Sequence, residues 1–148
     1  MSLAVPNPIK QSAYKWCLRY RSLFEQIESD EDKKAFLKKF SVYTRPTENL
    51  GLLDVLRNCM HKAYECGVVV KNYMEIIEST GIAEEAVGEP TPEWAENLTE
   101  DQLLACIAWH FRRDYFNNGS WISDSVANGY MLILVTEYLI KYHDNRQN

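Results

Sequence analysis

No stretch of this 148-residue chain approaches about 18 apolar residues without a charge, so no segment reads as a membrane-spanning helix. Glycine and proline are scarce, six and five residues, which excludes collagen-like repeats and a long disordered linker. Cysteine is sparse as well. Cys17, Cys59, Cys66 and Cys106 form no CxxC and no zinc-ribbon spacing. The common catalytic signatures are missing: there is no GxSxG elbow, phosphate-binding loop, GxGxxG or HExxH. Met1-Ser2-Leu3-Ala4-Val5-Pro6 carries no basic n-region and too short an apolar run for a signal peptide. The expected setting is therefore the cytoplasm, where four reduced thiols pack as small buried hydrophobes.

What is present describes a folded domain. Hydrophobic residues make up 46% and charged residues 25%, and the length suffices for one full core. The net charge is −5, unevenly spread. Residues 10–46 hold nine basic and five acidic side chains, residues 47–105 hold three and twelve, and the remainder balances. The acidic whole argues against nucleic acid as a partner, because such binding depends on neutralising phosphates. Only the basic first quarter (Arg19, Arg21, Lys33, Lys34, Lys38, Lys39) could offer a patch, and lysine runs of this kind usually form a solvated helix face.

Apolar periodicity predicts helices along nearly the whole chain. Ala13, Trp16, Cys17, Tyr20, Phe24 and Ile27 form one stripe over 12–28, after an extended or disordered 1–11. Asp30, Glu31 and Asp32 followed by Lys38 and Lys39 complement a second helix dipole, with Phe36, Leu37 and Phe40 inward. Leu52 to Tyr64 mark a third helix ending at Gly67, and Val70 to Ile77 a fourth ending at Gly81. Residues 82–98 read as an acidic, proline-containing loop with one short turn at Thr91-Pro92-Glu93, and as a candidate lid. Thr99 and Gln102 have capping-box spacing, flanked by Leu98 and Leu103 as a hydrophobic staple. The helix they open has the stripe Leu103, Leu104, Ile107, Ala108, Phe111 and Tyr115. A short helix over 120–128 and a last helix over 130–142 follow, the latter apolar enough for burial on more than one face.

Side chains with chemical potential concentrate in His110-Phe111-Arg112-Arg113-Asp114-Tyr115-Phe116-Asn117-Asn118-Gly119. Arg112, Asp114, Phe116 and Gly119 follow Leu98-Thr99-Glu100 and precede Gly129, Leu134 and Leu139. On these residues the chain resembles a family of small bacterial and phage-associated proteins known only as a domain of unknown function. Residues 99–142 are the best-matched helical part. A second segment, Ala63-Tyr64 through Gly67 to Asn72-Tyr73, is also similar. Tyr115 stands where that family usually has a second Arg, and the resemblance implies no activity.

A guanidinium such as that of Arg112 forks onto carboxylates or phosphates. Arg112 and Asp114 are two apart and do not share a helix face, whereas His110 and Asp114 at i and i+4 do. His110 with Asp114, and His61 with Glu65, each offer two metal ligands, too few for a zinc site, so no metal and no cofactor is expected. Phe116 and Trp121 are expected to pack a helix corner, and Gly119 and Gly129 to supply left-handed caps.

The expectation is an all-α protein, one compact domain over residues 1–148 with six or seven helices. It is read as a noncatalytic interaction or regulatory module whose partner is another protein or a second copy of itself. The alternative is a small anion-binding domain or enzyme using Arg112 with His110 or Asp114.

Overall fold

A computed structural model describes residues 4–40, 50–114 and 120–147. Among these residues nine helices and no strand occur: α1 (Asn7–Glu28), α2 (Glu31–Lys39), α3 (Leu50–Glu65), α4 (Tyr73–Ser79), α5 (Glu84–Gly88), α6 (Pro92–Ala95), α7 (Glu100–Asp114), α8 (Ser120–Ala127) and α9 (Tyr130–Asn145). The all-α expectation holds, and the helix count rises above six or seven because of two short helices. Residues 82–98 are not a loose loop but fold into α5 and α6, anchored by Val87 and Ala95, which are fully buried. The first helix begins at Asn7 rather than near residue 12, with Val5 already in the core.

Local chemistry sets most helix ends. Asp30 Oδ1 accepts the Asp32 and Lys33 N–H groups to cap α2, at 3.0 and 3.2 Å. Thr99 closes the capping box of α7 in both directions. Its Oγ1 accepts from Gln102 N at 3.2 Å, and its own N–H donates to Gln102 Oε1 at 2.8 Å. Gly129 lies at φ 82° between α8 and α9, a left-handed conformation that a Cβ would strain.

The centre of the molecule is α7. Nine consecutive residues, Leu103 to Phe111, are buried, so every face of this helix is covered. Helices α4, α8 and α9 pack along it, α5 touches it, α1 lies along α9, and α2 lies against α8. The periodic stripe predicted for α7 thus covers only part of its buried surface, since Cys106, Trp109 and His110 are inside as well. The last helix shows the weaker version of the same property. Met131, Leu134, Val135 and Tyr138 are buried, while Ile140 stays exposed.

A polar clasp joins both chain ends to the start of α7. Glu100, nearly buried, accepts from Arg146 Nη1 at 2.7 Å and Asn145 Nδ2 at 2.8 Å. Lys10 Nζ lies 3.0 Å from Asp101, and Tyr138 OH donates to the Lys10 carbonyl at 2.8 Å. The Tyr14 and Tyr142 rings stack at 4.3 Å beside it.

Because the capping box supplies two otherwise orphan N–H groups with partners, Thr99→Ala is expected to cost about 1 kcal/mol. Urea unfolding should show this as a lower midpoint with an unchanged slope. No change in midpoint would mean the box adds nothing to α7.

Candidate functional site

The three side chains singled out from the sequence as a binding group do not converge. They leave the end of α7 in different directions and meet different partners.

His110 is fully buried. Trp121 Nε1–H donates to its Nδ1 at 3.1 Å, and its Nε2 lies 2.7 Å from the Val87 carbonyl oxygen. An indole nitrogen can only donate and a carbonyl can only accept, so the ring is neutral with its proton on Nε2. One imidazole thereby joins α5, α7 and α8. Burial drives its pKa down to about 4 from an ordinary 6.5, against the Val87 carbonyl bond, which favours the proton. Both ring nitrogens are engaged within the fold.

Asp114 is buried and acts on the next helix. Its Oδ1 accepts the Ile122 N–H at 2.9 Å, one of the donors at the start of α8 that lack a partner within that helix. The carboxylate also sits at the positive end of the α8 dipole. Trp121 packs edge-on against Trp109, with centroids 5.6 Å apart, in addition to its bond with His110. Trp121 therefore holds a corner between α7 and α8. Phe116 and Gly119, expected to share that corner and to cap α7, lie outside the described residues. Gly129 is the left-handed residue the sequence predicted.

Arg112 is exposed and lines a cleft of about 530 Å³ between the end of α7, the α3–α4 connection and the start of α1. Tyr64, Lys71, Asn72 and Tyr73 share its walls with Val5, Pro6 and Ile9. Among the described residues no acidic side chain lines it, in a chain of net charge −5. Two cations, two phenols, an amide and an apolar floor are thus grouped at one concave place. Such a set suits an anionic group carrying some apolar surface. The periodicity of α3 and α7 could not reveal this cleft, because Lys71 belongs to a turn that only the packing of α4 on α7 brings to Arg112.

A second cleft, of about 590 Å³, lies along another face of α7. Glu84, Glu85 and Glu89 of the acidic segment line it with Trp109, Arg113 and Trp121. His110 belongs to the wall of this cleft and not to that of Arg112.

The other candidates resolve into local roles. Of the basic first quarter, Arg21 pairs with Glu25, Lys33 with Asp30 and Lys34 with Glu31. The Arg19 and Lys39 cations lie over the Tyr20 and Phe40 rings. Cys17, Cys59 and Cys106 are buried and Cys66 is half-buried. Burial raises all four thiols, Cys106 to about 12, so none is an activated thiolate. Among the described residues no group of three or more His, Cys, Asp or Glu side chains could hold a metal ion. No helix among them is long and apolar enough to cross a membrane.

Two outcomes follow. A histidine neutral in the fold and protonated in the unfolded chain costs stability only as pH falls. Its contribution is flat above about pH 6.5 and worsens between 6.5 and 4, by about 3 kcal/mol in all. The difference in unfolding free energy between wild type and His110→Gln should therefore shrink across that window, and a pH-independent difference would contradict the neutral tautomer. Arg112 is an exposed residue, and exposed ion pairs contribute little, so Arg112→Gln should move the melting temperature by the equivalent of less than about 1 kcal/mol. A loss of about 3–5 kcal/mol, as for a broken buried ion pair, would make Arg112 a residue of the fold.

Compared with protein-family models, curated proteins and solved structures, the chain matches none.

Proposed function

We propose that this protein is a noncatalytic binding module that holds an anionic group of its partner in the Arg112 cleft. The observation that carries the reading is the composition of that cleft: Arg112 and Lys71 with no acid among the described lining residues, in a chain with five more acidic than basic side chains. Arg112 offers a fork that grips a carboxylate or phosphate through two parallel bonds, and Lys71 adds a second positive charge. Tyr64 and Tyr73 supply ring faces for the body of the guest, while the Tyr64 hydroxyl donates to the Phe111 carbonyl at 3.5 Å.

The geometry favours binding over catalysis. The two titratable neighbours of Arg112 that an acid–base reaction would recruit are occupied elsewhere, His110 by Val87 and Trp121, and Asp114 by Ile122. Neither lines the Arg112 cleft.

Membership of the phage-associated family belongs to the same proposal. Its support is that the two separate stretches carrying the resemblance meet here: Tyr64, Gly67, Asn72 and Tyr73 from one, and Arg112 from the other.

The test is a titration with inorganic phosphate and then with acetyl-aspartate, at constant ionic strength, followed by backbone amide shifts. Saturable changes at Tyr64, Lys71, Tyr73 and Arg112 are expected. Arg112→Gln should weaken them by roughly tenfold or more, since a hydrogen bond to a charged group contributes about 1.5–3 kcal/mol. Shifts that stay linear, or that survive Arg112→Gln unchanged, overturn the reading.

A further inference from the structure

The cleft on the other face of α7 has the opposite chemistry. Among the described residues four carboxylates line it, Glu84, Glu85, Glu89 and Asp124, against one cation, Arg113. Between them stand three aromatic side chains, Trp109, Trp121 and Tyr130. An acidic cluster alone is a solvated surface, but three further observations distinguish this one.

First, the structure already seats a cation here. The Arg113 guanidinium carbon lies 4.7 Å from the Trp109 ring centroid, and Arg113 Nη2 lies 3.3 Å from Glu84 Oε2. Among aromatic side chains the indole face attracts a cation best, and a carboxylate beside it adds the opposite charge. Second, Ser125 lines the same cleft, is 2% exposed, and its Oγ has no hydrogen-bond partner among the described residues. A buried hydroxyl without a partner costs free energy that a guest N–H group would recover. Third, the rings are held in place before any guest arrives. The His110 bond fixes the Trp121 indole, and Trp121 meets Trp109 at an interplanar angle of 74°. Gly88 lets α5 lie close to Trp109, since a Cβ there would come within 3.3 Å of the indole Cη2.

We infer that this cleft is a receptor for a guanidinium group, seated between the Trp109 face, the carboxylates of α5 and the Ser125 hydroxyl, with Arg113 as the internal occupant that a guest displaces. Arg113 is exposed, and its ion pair with Glu84 is half in solvent, so exchanging one guanidinium for another leaves the charge balance of the cleft unchanged. The site is separate from the Arg112 cleft and does not depend on what that cleft holds.

The experiment titrates the full chain with acetyl-arginine amide while following the indole N–H signals of Trp109 and Trp121. Acetyl-citrulline amide, nearly the same shape without the charge, is the control. Saturable shifts with the arginine probe alone are expected. Arg113→Gln removes the competing occupant and should tighten binding by about threefold or more, the scale of one exposed ion pair. The double variant Glu84→Gln, Glu89→Gln should weaken it by a similar factor or more, and both sites are exposed, so the fold should be kept. Free arginine binding as tightly as the blocked form would point to a small-molecule guest, and weaker binding to a side chain of a polypeptide. Either result fits the inference. Equal shifts with the citrulline probe overturn it, as do linear shifts or an Arg113→Gln variant that binds no more tightly.

Discussion

The burial of α7 on all its faces is the constraint from which the rest of the structure follows. A helix carrying Leu103, Leu104, Ala105, Cys106, Ile107, Ala108, Trp109, His110 and Phe111 in unbroken sequence cannot lie on a surface. It must be surrounded, and no single neighbour is wide enough to do it. Helices α4, α8 and α9 cover most of it, and the short α5 closes a remaining strip. That closure puts one polar side chain in the interior. His110 is tolerated there because both ring nitrogens have partners, one of them the carbonyl of Val87 on the closing element itself. The same bond that satisfies the histidine fixes the acidic segment to the core.

The end of α7 is where this constraint becomes chemistry. Successive residues on a helix project about 100° apart. Arg112 and Arg113, adjacent in sequence and the first charges after the buried run, therefore emerge on different sides. Among the described residues, one reaches a cleft with no acidic lining, and the other a cleft with four carboxylates. Asp114, a further step round, turns inward and holds the start of α8. Three neighbouring charged residues thus have three separate roles, and a constellation that looks like one site in the sequence is divided among three places.

Much of this was legible in the sequence where the cause is local. The cap at Thr99, the acid-first and lysine-last order of α2, the left-handed glycines Gly67, Gly81 and Gly129, and the apolar stripe of α1 all depend on residues within a few positions of one another. The central place of α7 was less legible, although one signal existed: no charged side chain falls between Asp101 and Arg112. The stripe of Leu and Ile drew attention away from Cys106, Trp109 and His110, whose burial depends on neighbours far along the chain. The acidic segment misled for a similar reason. Five glutamates and two prolines read as a loop, yet the buried Val87 and Ala95 and the bond from His110 to the Val87 carbonyl pin it.

Periodicity, capping and composition are enough to set the helical class, most helix ends and the sign of charge along the chain. Which polar groups are spent inside the fold and which face a cleft was settled by packing between distant elements. Lys71 meets Arg112 through the packing of α4 on α7, and Glu84 meets Trp109 through the closure of α5. Neither meeting leaves a trace in local spacing. It is set by how differently shaped apolar faces fit around one fully buried helix, and that fit is a property of all of them together.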